Sequence, residues 1–206
     1  MYKKLIILAI PFIGFSQNYK PVKDTLNLKL KIESMSTTIT SIDADFIQEK
    51  NLEILSEKIT SKGHLMFKKE NLLRWEYFTP TKYLIVINKQ KVFIKDDKKT
   101  SKYDMNSNKV FKEINDMMLS CVQGTIFKSN KFKTAYFENE KNYKLELSPT
   151  VKNLKDNFKK INLFFDKNLS SVIKIEIVES REDYTHIEFL NKKLNAPILE
   201  KNFNIN

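Results

Sequence analysis

From Gly63 to Pro80, apolar and polar positions alternate with a period of two. Leu65 and Phe67 are interleaved with His64, Met66 and Lys68. A polar turn, Lys69-Glu70-Asn71, follows, and then Leu73, Trp75 and Tyr77 alternate with Arg74 and Glu76. The pattern predicts two antiparallel strands. Alternate side chains share a face, so Leu73, Trp75 and Tyr77 form one aromatic wall. Pro80 has no N–H for the ladder and ends the second strand.

The same period recurs along most of the chain. It predicts strands over 45–50, 59–68, 72–78, 83–88, 91–95 and 101–104, and again over 132–137, 143–148, 161–165, 171–178 and 185–190. Short polar connections (88–90, 96–100, 106–108) suit antiparallel hairpins, with Asn taking the turn role because it tolerates the left-handed conformation. No crossover helices separate the strands, which disfavours a parallel sheet. Two segments switch to helical spacing. Leu28, Ile32, Met35, Ile39 and Ile42 form one stripe, which Asp24 or Thr25 can cap. Phe111, Ile114, Met118 and Cys121 form another over 110–123, stopped by Gly124.

An antiparallel sheet curled on itself must fill its inside. The strands supply Phe46, Phe67, Trp75, Tyr77 and Phe93, then Phe132, Tyr143, Phe164 and Phe189. Such residues either fill a dense core or line a cavity under helical covers. The two apolar helix stripes, with the flexible Met35, Met117 and Met118, favour a cavity adaptable to apolar ligands. Sheltering an acyl chain there would gain about 0.8 kcal/mol per buried methylene.

Composition narrows the setting. Lys3 and Lys4 precede an apolar run from Leu5 to Phe15, and Gly14-Phe15-Ser16 reads as a cleavage site before Gln17. Residues 1–16 are thus expected to be a signal peptide, and 17–206 one exported, soluble domain. The run is too short to span a bilayer. Cys121 is the only cysteine, so packing alone must stabilise the chain. Without Lys3 and Lys4, 34 basic residues face 25 acidic ones, a formal charge of +9, which favours anionic partners. Nucleic acid is not expected among them, because Arg74 and Arg181 are the only arginines and the lysines are scattered.

Little in the sequence points to catalysis. His64 and His186 lie on different strands in the polar phase, without the companions a zinc site needs. Cys121 sits on an apolar helix face and reads as a small buried hydrophobe. Asp43/Asp45, Asp96/Asp97 and Glu182/Asp183 read as solvated charge rather than as paired acid and base. No nucleophile elbow and no phosphate loop is present. A hydrolase would have to rest on residues such as Ser61 or Asp45. No enzyme activity, cofactor or metal is expected.

A short Asp45-Phe46-x-Gln48 strand, the run from Gly63 through Phe67-Lys68-Lys69 to Asn71-Leu72-Leu73-Arg74-Trp75-x-Tyr77, and then Pro80 together resemble the periplasmic outer-membrane lipoprotein carrier family, the LolA-like proteins. The likeness continues through Tyr83–Asn88 and Val92–Ile94 and is strongest over residues 43–104. It implies an α+β, mainly β fold: an incomplete, unclosed antiparallel β-barrel of about eleven strands, with helices capping a hydrophobic cavity. It implies a monomer that carries acylated lipoproteins from an inner-membrane lipoprotein-releasing ABC transporter to an outer-membrane acceptor. Phe46, Leu65, Phe67, Leu73, Trp75, Tyr77, Phe93 and Met118 are the expected cavity lining. Lys69 stands where many members have a lid-controlling Arg, and the change loses a planar five-donor fork. The rival readings are a LolA-like paralogue for another lipid or a cell-envelope pigment (aryl polyene) intermediate, and a sensor of mislocalised lipoproteins.

Overall fold

The computed structural model describes residues 18–53, 57–104, 109–179 and 183–205, and on the helix over 109–123 the side chains of 112 and 116–123. The expected signal peptide, the turn 106–108, the Phe111 and Ile114 side chains, Arg181 and Glu182 lie outside the described residues. After a two-residue strand β1 (Lys20–Pro21) comes helix α1 (Thr25–Thr38), then β2 (Ser41–Leu52), β3 (Glu57–Lys68), β4 (Leu72–Thr79), β5 (Tyr83–Asn88), β6 (Lys91–Lys95) and β7 (Thr100–Asp104). Helix α2 (Lys109–Gln123) leads to β8 (Phe132–Glu138) and β9 (Asn142–Pro149). A single turn α3 (Lys152–Lys155) precedes β10 (Phe158–Asp166), β11 (Val172–Glu179) and β12 (Tyr184–Leu194).

All twelve strands join one antiparallel sheet in the order β1-β8-β9-β10-β11-β12-β2-β3-β4-β5-β6-β7. The ends, β1 and β7, do not pair with each other, so the sheet curls without closing. This topology dictates where the helices go. α1 links the edge strand β1 to the central β2, and α2 links the opposite edge strand β7 to β8. Residues of both helices join one buried cluster with the inner face of the sheet.

Local chemistry explains the elements. Asp24 Oδ1 accepts from the Asn27 N–H at 2.9 Å and caps α1. At the other end, the hydroxyls of Ser36, Thr37 and Thr38 donate back to the carbonyls three residues earlier, at 2.7–2.8 Å. Such bonds compete with the helical ladder, and Ile39 turns to extended backbone. The helical stripe is therefore shorter than expected: Leu28, Ile32 and Met35 are buried on α1, Ile39 is buried at its extended C-cap, and Ile42 is buried in β2. In the β3–β4 turn, Glu70 and Asn71 have φ of 75° and 62°, the twist that matches flanking strands. Asn191 and Asn195 also take positive φ, as do Lys89 and Leu169.

The sheet has a second, outer apolar patch. The C-terminal segment 196–205 runs across the outside of β4 and β5, where Phe203 and Ile198 bury against Leu72, Leu84 and Val86. Polar ties fix it: Lys68 Nζ donates to Ile198 O at 3.2 Å, Asn88 Nδ2 to Phe203 O at 3.2 Å and Arg74 Nη1 to Asn202 O at 3.4 Å.

Candidate functional site

The inner face of β2, β3, β4 and β12 forms an aromatic cluster beneath the helices. Phe46 and Trp75 have ring centroids 4.9 Å apart, Phe46 and Tyr77 5.1 Å, and Trp75 and Phe189 6.2 Å. Tyr83 continues the row from Tyr77 at 6.2 Å. Gly63 makes this cluster possible. It pairs with Phe46 on one side and Tyr77 on the other, and a Cβ there would stand 2.4 Å from the Phe46 ring. Rings from the flanking strands fill the gap that its missing side chain leaves.

Of the expected lining residues, Phe46, Leu65, Phe67, Leu73 and Trp75 are buried together in the main cluster, and Tyr77 and Met118 pack against it half-buried. Phe93 does not join them. It pairs with Val86 and packs on the outer patch with the C-terminal segment, while its neighbours Val92 and Ile94 point inward. Phe164 likewise lies outside, with Tyr19 at 6.0 Å and Lys174 over its ring at 5.2 Å. An apolar residue covered on the outer face carries the same sequence signal as one on the inner face.

Side chains occupy the interior. Among the cavities that border it are two small ones. One of about 70 Å³ lies between α2 and the start of β8, lined by Met117, Ile126, Phe132 and Leu154 with Asp116 and Lys131 at its polar side. The other, about 40 Å³, lies among Ser36, Ile39, Phe67, Lys69 and Gln123, where the ends of the two helices meet the β3–β4 turn. Pockets that enclose small organic ligands measure roughly 300–1,000 Å³. Neither of these two cavities holds an acyl chain as it stands.

Lys69 is the polar tie between that turn and α1. Its Nζ donates to Thr37 O in the last turn of the helix, and its backbone N–H donates to Thr40 O at 2.9 Å. The side chain is exposed. A single ammonium satisfies a carbonyl that the helix end leaves free.

Polar groups are sparse within the cluster. The Tyr77 hydroxyl donates to Gln48 Oε1 at 3.0 Å, and burial pushes its pKa up to about 12. Trp75 is buried beside it, and the indole's interaction with the Tyr77 hydroxyl lowers that pKa against the larger effect of burial. Cys121 is buried too, and desolvation raises its thiol to about 12, which makes it a poor nucleophile.

On the outer face, His64 Nδ1 meets Asp45 Oδ1 at 2.8 Å, and Asp43 Oδ2 lies 3.5 Å from Nε2. Asp43 and Asp45 thus share a face and flank one histidine, because residues two apart on a strand point the same way. Asn191 Nδ2 also donates to Asp45 at 2.8 Å, and with His64 it holds that carboxyl below its usual range. His186 stacks on Tyr184 at 4.5 Å and faces Glu176 at 3.8 Å. Among the described residues, no three His, Cys, Asp or Glu side chains converge to hold a metal.

Comparison with known proteins agrees with this architecture. The family model described as outer membrane lipoprotein carrier protein LolA matches residues 37–206. No curated protein matches the chain. An uncharacterized conserved protein from Thermus thermophilus has the same fold at 10% identity and a TM-score of 0.52, over 86% of this chain and 91% of that one. MucB also has a TM-score of 0.52 at 10% identity, over 90% of this chain and 64% of that one. A LolA superfamily protein from Nitrosomonas europaea is 9% identical, with a TM-score of 0.45, over 86% of this chain and 97% of that one.

Proposed function

The chain belongs to the outer membrane lipoprotein carrier protein LolA family, and from that premise we propose that it is an exported carrier that shields lipoprotein acyl chains between the inner and outer membranes. One observation supports this above the rest. An unclosed sheet offers an almost wholly apolar inner face, and what covers it is two helices rather than further strands. A helix held by side-chain contacts and one lysine can leave as a unit, whereas a strand would have to break a ladder of backbone bonds.

Cargo enters as α1 swings out, releasing Lys69 from Thr37 O, and acyl chains replace the Leu28, Ile32 and Met35 side chains against the sheet. Exchange needs no covalent step, since one apolar surface replaces another. The proposed route runs from an inner-membrane ATP-driven releasing complex to an outer-membrane acceptor, with the carrier monomeric in the periplasm. No described helix is long and apolar enough to cross a membrane.

The test is recovery of the tagged protein from periplasm, followed by native mass spectrometry. Co-purifying acylated lipoproteins are the expected result. A small lipid or pigment precursor in their place would reassign the cargo within the same fold, and protein with neither would end the carrier reading.

A further inference from the structure

Helix α1 is apolar on two opposite sides. Leu28, Ile32 and Met35 face the sheet and are buried. Leu26 and Leu30, about one turn apart, are 67% and 55% exposed. Leu30 stands two residues from both Leu28 and Ile32, which at about 100° per residue puts it on the far side of the helix. Lysines surround the exposed pair. Lys29 and Lys31 flank Leu30, Lys20 and Lys23 lie just before the helix, and all four are exposed. The acidic residues over the same stretch are Asp24, whose carboxylate caps the Asn27 N–H, and the half-buried Glu33. Four cations against two carboxylates leave it basic.

We propose that the outer side of α1 is a docking surface for an anionic phospholipid bilayer, with Leu26 and Leu30 entering the acyl boundary and the lysines reaching the headgroup phosphates. Leucines on one side with lysines on the flanks make the pattern of a helix that lies in a membrane interface. Long lysine stems follow the apolar surface and keep their charge among the headgroups. A protein partner fits the same patch less well, since the centre of a protein interface favours aromatic residues and arginine and is poor in lysine. Two leucines and a few lysines hold a bilayer weakly, which lets a carrier leave it again. The proposal goes beyond the carrier reading, because it names a surface and leaves the cargo open. The helix that covers the apolar inner face is then the element that meets the lipid.

Protein purified from periplasm is sedimented with vesicles of phosphatidylcholine, alone or mixed with phosphatidylglycerol. The mixed vesicles should bind it more tightly, and high salt should remove the preference. Lys29→Gln with Lys31→Gln should weaken binding to the mixed vesicles about tenfold, and Leu26→Ser with Leu30→Ser by about as much. All four positions are exposed, so the urea midpoint should not move. Lys98→Gln with Lys99→Gln, on the exposed β6–β7 turn, removes the same charge and should change binding less than about twofold. Equal losses from the two lysine pairs would mean adsorption by net charge alone, and undiminished binding without the leucines would mean no insertion. Either result overturns the proposal. So does wild-type protein that ignores the mixed vesicles, or that self-associates through Leu26 and Leu30 instead. The cargo recovered from periplasm is measured separately, so the carrier reading stands or falls apart from these outcomes.

Discussion

Phe46 and Tyr77 meet edge to face at 5.1 Å and 84° although strand β3 runs between their strands. The residue that separates them in the ladder is Gly63. A Cβ at that position would come within 2.1 Å of Glu76 O as well as into the Phe46 ring. Gly63→Ala should therefore destabilise the fold by about 2–3 kcal/mol, in the range of overpacked cores. Urea unfolding is the measurement, and a loss below about 0.5 kcal/mol, typical of a surface change, would show that the sheet absorbs the methyl.

The two apolar faces separate stability from cargo binding. Phe203, fully buried on the outer patch, should cost about 3–5 kcal/mol when changed to Ala. Protein still folded at low temperature should nevertheless bind acyl probes as the wild type does. Phe46→Ala should cost about as much in stability and also weaken probe binding. Equal binding losses in both variants would erase the distinction between the faces.

Lys69 holds α1 by one exposed charge-assisted bond, so its contribution should be modest after solvent screening, about 0.5–1 kcal/mol. Lys69→Ala should speed amide exchange within α1 by about two- to fivefold. Lys69→Arg, which keeps the donor, should restore protection. Exchange in α1 that ignores both changes would remove Lys69 from control of the helix.

Cys121, on the buried side of α2, reports on that helix. Its thiol has a pKa near 12 and little exposure to reagent. Labelling by a thiol reagent should be far slower than in urea-unfolded protein and should accelerate when an acyl probe loads. Rapid labelling of the unloaded protein would show that α2 is already off the sheet.

Acid should lower the protein's stability in two stages. Burial lowers the His186 pKa from 6.5 against the pull of Glu176. Neutral His186 therefore adds stability that is full above pH 6.5 and drains as pH falls through its lower folded value. Burial raises Glu176, but hydrogen bonds from Lys174 and Asn162 outweigh it and leave its pKa below 4.5. Its contribution is full above pH 4.5 and is lost only in stronger acid. Urea midpoints measured from about pH 8 to about pH 3 should show both stages, and His186→Gln should remove the upper one. A midpoint that rises between about pH 7 and about pH 5.5 would contradict this.

Most strands, both long helices and the β3–β4 hairpin were legible because their signals are local. Alternation over a few residues marks a strand, and the Lys69-Glu70-Asn71 turn lies within one such signal. The strands predicted from the sequence are present, mostly longer by a few residues. The two-residue β1 and the single turn α3 are too short to show any period.

By itself, the chain's own pattern determined the hairpins, the antiparallel class, the wall of Leu73, Trp75 and Tyr77, and the amphipathic helices, because each depends on neighbours a few positions away. Tertiary structure alone decided which apolar faces look inward. The C-terminal segment hides Phe93 on the outside, and Tyr19 with Lys174 does the same for Phe164. It also decided that Gly63 brings Phe46 onto Tyr77 and that Lys69 reaches Thr37, thirty-two residues away. The physical reason is that burial is a property of what covers a residue, and that cover arrives from distant parts of the chain.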